Sequence, residues 1–266
     1  MNIYKQAFSL GLQKAMRYRV NFYVGMISII FPMCIQYFLW TSIFSSGSQG
    51  MHFGYTLPQM LSYAAFAVIT SRTIFGGFIY EVNFEIKSGG MAKYLVRPMR
   101  YMPYQISCYL GEKFVSILLS SVLIVVVSVV FNTRWPNTIT LQNVLLYFLV
   151  LVFAIVLNFV LYFSICGAGF WMRDASGAIF IITVVGNIIS GGVFPLDIFS
   201  GRIQFILKLF PFSYTNYFPV SVLCGRTVGS DIYLGMMVQL SWILIVLSIQ
   251  QIVWKQGVKR YTAVGG

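Results

Sequence analysis

Six apolar stretches constrain this chain more than any motif in it. A helix rises about 1.5 Å per residue and the hydrocarbon core of a bilayer is about 30 Å thick, so about 20 apolar residues cross it. The stretches run over 22–44, 57–79, 114–131, 144–170, 178–194 and 232–254. Between them little is left for a water-facing surface: 58% of the 266 residues are hydrophobic and 9% are charged, against about 25% charged in a soluble domain. The expectation is an all-α polytopic membrane protein, one transmembrane domain over 1–266, and not a soluble enzyme. No cleavable signal peptide is expected, because Lys5, Lys14, Arg17 and Arg19 interrupt the first 20 residues.

Six spans put both termini on one side, and the 18 Lys and Arg say which. One side collects Lys5, Lys14, Arg17, Arg19, Arg72, Lys87, Lys93, Arg97, Arg100, Lys113, Arg173, Lys255, Lys259 and Arg260; the other has Arg134, Arg202, Lys208 and Arg226. Positive charge favours the cytoplasm, so both termini are expected there. The net charge of +12 is thereby assigned to topology, and no nucleic-acid partner is expected.

Three segments outside the spans have a pattern of their own. Residues 1–21 mix Ile3, Phe8, Leu10, Leu12 and Met16 with four cations, which fits an interfacial helix on the cytoplasmic leaflet and also a solvated basic tail. In the cytoplasmic loop 80–113, Glu81 and Glu85 share a helix face four residues apart. Ser88-Gly89-Gly90 breaks that helix, 91–96 forms a short one, and Arg97, preceding Pro98, leaves helical geometry. A solvated loop satisfies this composition; the order of helix, turn, short helix and stop points to a docking element for a soluble partner. The external segment 195–231 is too apolar for an aqueous loop and too interrupted, by Pro195, Pro211 and Pro219, to span. Two short helices dipping back into the outer leaflet fit it; a seventh span would reverse the C-terminus.

Several chemistries have no residues to carry them. The sequence has no GxxxxGK[ST] phosphate loop. Its one histidine, His52, lies in a short loop, and its six acidic residues sit at or beyond span ends, so no proton relay of buried carboxylates is expected. Cys34, Cys108, Cys166 and Cys224 are scattered without a CxxC pair, and no metal site or disulfide framework is expected. Arg72, in the inner half of the second stretch, either snorkels to the headgroups or contacts substrate. Asn158 and Asn187 are candidate pathway-lining residues; interhelical hydrogen bonding explains them equally. Gly167, Gly169, Gly177, Gly186, Gly191 and Gly192 lie on or beside the same two stretches and permit close helix approach.

In order along the chain stand an N-terminal amphipathic segment, Glu85-Ile86-Lys87 with Gly89-Gly90 and Leu95-Val96-Arg97-Pro98, then Phe194-Pro195-Leu196 and Pro211-Phe212-Ser213-Tyr214, and finally Gly257, Arg260 and Tyr261 before a Gly-Gly end. This pattern resembles the membrane (permease) subunit of an ABC type-2 exporter, in a bacterial branch that works as paired permeases with a separate ATPase. The resemblance implies that Glu81, Glu85, Ile86, Lys87, Gly89, Leu95, Arg97 and Pro98 form a coupling-helix region seated in the ATPase. The segment with Pro195, Pro211, Phe212 and Tyr214 would cap the exit, and cargo would pass between two permeases along their first, second and fifth spans. ATP and Mg would bind to the partner ATPase, two copies per complex, and no cofactor to this chain. The second permease would be related or identical, and the location the bacterial inner membrane. An ion-coupled secondary transporter would need midplane ion-coupling residues and repeated broken helices. The membrane subunit of an energy-coupled importer also docks an ATPase, but the apolar segment after the fifth span argues against it. For an intramembrane enzyme the nearest thing to a site is Arg173-Asp174, which reads better as an ion pair or topology signal.

Overall fold

A computed structural model describes residues 3–17, 19–45, 53–134, 139–172 and 174–261. His52, Arg173 and the Gly-Gly end lie outside the described residues. Eleven α-helices and no strand are present among the described residues: α1 (Ile3–Arg17), α2 (Arg19–Ser45), α3 (Leu57–Ile74), α4 (Phe78–Lys87), α5 (Ala92–Leu95), α6 (Tyr101–Arg134), α7 (Leu141–Cys166), α8 (Ser176–Ile189), α9 (Gly201–Leu209), α10 (Tyr217–Leu223) and α11 (Ser230–Arg260). Five helical segments are long and apolar enough to cross a membrane: Ile27–Ser45, Leu57–Lys87, Tyr101–Val129, Leu141–Phe170 and Ser230–Arg260. The chain is therefore an all-α polytopic membrane protein.

The structure departs from the six expected stretches at three places. The stretch 178–194 holds α8, a helix of 14 residues, about 21 Å long at 1.5 Å per residue. It stops at Ser190-Gly191-Gly192, where Gly191 takes φ 80°, a left-handed conformation that costs glycine little. The stretch 57–79 is interrupted at 75–77, between α3 and α4. The third long helix begins at Tyr101 and runs for 34 residues, so 101–113, expected as part of a loop, is helical. Pro103 sits in its first turn, where a missing N–H leaves no helical bond unmade.

Helix α7 is the axis of the fold. Leu151, Ala154, Ile155, Phe159 and Phe163 are buried along it. Phe159 meets Phe78 of α4 and Tyr109 of α6, with ring centroids 4.8 and 5.2 Å apart. A bilayer gives helices no hydrophobic drive to associate with one another, so close packing of this kind must hold the bundle together.

Helix α1 does not lie apart from the bundle. It crosses α6 with backbones almost touching: a Cβ on Gly11 would fall 2.0 Å from the Cys108 carbonyl oxygen, and one on Gly111 2.1 Å from that of Phe8. Ala7 and Gly11 face inward, and Lys14, one turn on, reaches Glu81 of α4 and lies 4.0 Å from Glu112 of α6. Lys14 is thus part of the contact between this helix and the bundle. Ile3, Leu10 and Met16 remain exposed.

Tyr101 at the start of α6 meets Tyr94 of α5 and Trp254 near the end of α11, ring centroids 4.8 and 5.4 Å apart, so α1, α4, α5, the start of α6 and the end of α11 gather at one end of the bundle, the knob end. The opposite, cap end holds the start of α3, α9, α10 and the start of α11.

Candidate functional site

Two regions hold the residues singled out in the sequence: the knob formed by 78–100 and a cavity beside α8.

The knob is built from both directions. Helix α4 turns Phe78, Ile79, Val82, Asn83 and Ile86 inward, which leaves Tyr80, Glu81, Phe84 and Lys87 outside. The helix ends at Ser88; Gly89 takes φ 77°, and the Met91 N–H returns to the Glu85 carbonyl at 3.0 Å. This turn drives Met91 into the core, fully buried. One turn of helix follows and stops before Arg97-Pro98, in the expected order of helix, turn, short helix and stop.

Glu85 is the centre of the knob. It accepts hydrogen bonds from the hydroxyl of Tyr94 at 2.9 Å and from that of Tyr101, while Lys93 Nζ lies 3.0 Å from it and Gln105 Nε2 3.4 Å. Its side chain is 16% exposed. Burial, and after it the charge of Glu85, pushes the Tyr94 hydroxyl above its ordinary value of 10.0, so Tyr94 stays a donor. Glu81 pairs with Lys14, and Lys87 Nζ donates to Asp174 Oδ2 at 2.7 Å. That bond, with the Ser176 N–H, holds the Asp174 carboxyl well below the usual carboxylate range. Three of the four charged residues of the expected coupling region, Glu81, Glu85 and Lys87, are therefore engaged within the chain, and Ile86 is buried. Beside these half-exposed paired charges, the outward surface carries Phe84, Leu95 and Val96, the last 83% exposed, together with Arg97, Pro98 and Arg100. Phe84 was missed in the sequence because it stands between two glutamates; its signal was a large apolar side chain on the outer face of an otherwise well-patterned helix.

The cavity, about 680 Å³, lies between α2, α3, α7, α8 and the segment 212–216. Asn158 and Asn187 both line it, joined by Gln36, Ser71, Arg72 and Asn216. Ser71 Oγ donates to Asn187 Oδ1 at 3.4 Å and accepts from Asn216 Nδ2. Gln36 is held by the Trp40 indole N–H and donates to the Val193 carbonyl, both at 2.8 Å. The Oδ1 atoms of Asn158 and Asn216 are buried without a hydrogen-bond partner. A buried acceptor left unpaired costs about 1–3 kcal/mol.

The segment after α8 closes the cap end. Pro195 leads into a 3₁₀ turn at Leu196–Ile198, and Pro211 starts another at Pro211–Tyr214. Phe212 lines the cavity and packs edge-on against Tyr162, centroids 6.2 Å apart. The Tyr214 carbonyl accepts from Gln239 at 2.8 Å. Asp197, which drew no notice in the sequence, ties this segment together: it accepts from Tyr55 and Tyr217 hydroxyls at 2.7 and 2.5 Å and from Gln204 at 2.6 Å. Arg226 stacks 3.6 Å above the Tyr55 ring and donates to the Gly54 carbonyl. Among the described residues no group of three or more His, Cys, Asp or Glu is placed to hold a metal ion.

Crossing helices, a braced knob at one end and a polar-lined cavity between helices describe a polytopic membrane protein. The chain matches the family described as ABC-2 family transporter protein over residues 30–265. It belongs to that family and is an ABC-transporter permease, a class that is in general a non-catalytic membrane subunit working with an ABC ATPase. No curated protein matches it.

Proposed function

We propose that the chain is one permease of an ATP-driven exporter whose ATPase is a separate polypeptide. The observation that carries this reading is the knob: an apolar tip of Phe84, Leu95 and Val96 on a mount held by buried and ion-paired groups. Large exposed apolar side chains on a rigid mount suit a partner's groove. Glu81, Glu85, Lys87 and Gly89 then position the tip, and Leu95, Arg97 and Pro98 join Phe84 and Val96 in touching the ATPase. That partner, in two copies, binds ATP and Mg.

The cavity supports the rest of the reading. Helices α2, α3 and α8 supply most of its wall, and the candidate span in α2 and the short helix α8 bury little of their surface within the chain. In our reading a second permease, related or identical, covers these faces and completes the pathway along Asn158 and Asn187. Helix α8 with the residues after it makes a sixth, short crossing, both termini are cytoplasmic, and the membrane is the bacterial inner membrane. The segment from Pro195 through Pro211, Phe212 and Tyr214 caps the exit.

Substitution of the most exposed knob residue tests the coupling. Val96→Asp should reach the membrane at wild-type level yet lose ATPase co-purification and ATP-dependent transport by at least about tenfold, as when a central contact residue is lost. Undiminished co-purification with unchanged transport would remove the knob from the ATPase interface.

A further inference from the structure

A second cavity, about 540 Å³, lies at the knob end between α1, α2, α3 and α6. Three cations and two carboxylates stand on it: Lys14, Arg72 and Lys113, with Glu81 and Glu112. Lys14 occupies both carboxylates. Lys113, 2% exposed, donates to the Phe75 carbonyl, which α3 leaves free where it breaks, and lies 5.4 Å from the centre of the Tyr109 ring. No ion pair among the described residues involves Arg72 or Lys113. Glu112, on the same wall, is the one carboxylate near Lys113 among the described residues, so two neighbouring cations share at most one counter-charge, and a buried cation such as Lys113 calls for more, because a charge taken from water needs a counter-charge.

The rest of the wall says what shape the counter-ion has. From Lys113 the cavity follows α6 to Leu123, ten residues or about 15 Å along the helix. Ile29, Ile69, Leu119 and Leu123 line that arm. One end is cationic and the other mainly apolar, with Ser116 and Ser120 on its wall. We infer that this cavity binds an anionic phosphate amphiphile, its phosphate between Arg72 and Lys113 and one acyl chain along Ile69, Leu119 and Leu123. Arg72 also lines the larger cavity beside α8, so the phosphate site stands at the junction of the two. Arg72 is then more than a snorkelling arginine: its partner is a bound headgroup in a built site. The inference rests on membrane insertion alone and is independent of the ATPase and of which end is cytoplasmic.

Native mass spectrometry of the full chain, released from detergent with added lipid, tests it. Phosphatidylglycerol should stay bound, one per chain, under activation that strips phosphatidylcholine. Arg72→Gln should weaken that retention about tenfold, the scale of one charge-assisted bond. Leu119→Trp, which leaves both cations in place and fills the apolar arm, should weaken it similarly; it keeps the test decisive if the arginine variant fails to fold. Equal retention of the two lipids, or retention untouched by either variant, overturns the site. Competition by inorganic phosphate at the same concentration as phosphatidylglycerol also overturns it, by showing a site that reads the anion and not the chain.

Discussion

Each end of the bundle gathers two tyrosines, a glutamine and a lysine round one carboxylate, Glu85 at the knob and Asp197 at the cap, and the two differ in the ion pairs between elements that the knob adds. At the knob end, four elements are joined by ion pairs of both signs: Lys14 with Glu81, Lys93 with Glu85, Lys87 with Asp174. At the cap end one carboxylate, Asp197, gathers two tyrosines and a glutamine, with Lys208 at 3.9 Å. Exposed pairs are individually weak and screened by salt, so the knob gains its rigidity from several of them and from one protected centre, Glu85. A shared carboxylate with neutral donors is a single point of failure, since every donor loses its partner at once. The difference makes the knob tolerant of losing one exposed pair and leaves the cap dependent on one residue.

Two free cysteines report on the ends separately: Cys108 lies on the first turns of α6 at the knob, Cys224 at the end of α10 in the cap. Thiol labelling of single-cysteine versions measures local opening at each. Glu85→Lys is expected to have the largest effect. It removes the acceptor of two tyrosines, Lys93 and Gln105 and sets two cations together in a poorly exposed place, a loss of about 3 kcal/mol or roughly a hundredfold faster labelling of Cys108. ATP-dependent transport should be abolished while membrane insertion stays intact. Unchanged transport would show that the knob does not transmit the coupling.

Asp197→Ala comes second. It strands the Tyr55 and Tyr217 hydroxyls and Gln204, at about 2 kcal/mol, since water reaches part of this site; Cys224 labelling should rise roughly thirtyfold and Cys108 labelling should not change. Equal acceleration at both cysteines would show that the ends are one cooperative unit.

Much of this was legible in the sequence, and the rest was hidden for identifiable reasons. The long helices follow from unbroken apolar runs, and the knob from Ser88-Gly89-Gly90 and the Arg97-Pro98 stop. The early start of α6 was hidden because 101–113 is too polar to read as a span; it is helical through its contact with α1, made possible by Gly11 and Gly111. The early end of α8 was written in Ser190-Gly191-Gly192, but hydropathy passes over glycine. Asn158 and Asn187 were found as polar residues within apolar stretches, and they do share a cavity. Gln36 and Asn216 join them from other parts of the chain; Asn216 lies 145 residues from Ser71, a pairing no local pattern announces. Glu85 was singled out by its spacing from Glu81, which identifies a helix face and not which side of it is covered; its side chain is 16% exposed.

Alkaline titration sharpens the comparison with a smaller effect. Burial first, then the nearby Asp197 carboxylate, raises the Tyr55 and Tyr217 hydroxyls above 10.0. A folded-state value above the unfolded one means that their stabilisation is whole below pH 10 and is lost as pH rises beyond it. In ultraviolet difference spectra the wild type should therefore form less tyrosinate just above pH 10 than Asp197→Ala does. Identical curves would remove Asp197 as the anchor of these two hydroxyls.

The smallest effect is expected at Lys87 and Asp174, and it tests the knob's redundancy. The pair is well formed at 2.7 Å, yet its side chains are 51% and 54% exposed. Solvent screens such a pair, so the low titration of Asp174 reflects a good local bond and not a large share of the fold's stability. Lys87→Ala should leave Cys108 labelling and ATPase co-purification indistinguishable from wild type, in low salt and in about 1 M salt, where the Debye length falls to about 3 Å. A marked loss in Lys87→Ala, reproduced in wild type by salt alone, would mean that the knob depends on this one bridge as the cap depends on Asp197, and the contrast between the two ends would collapse.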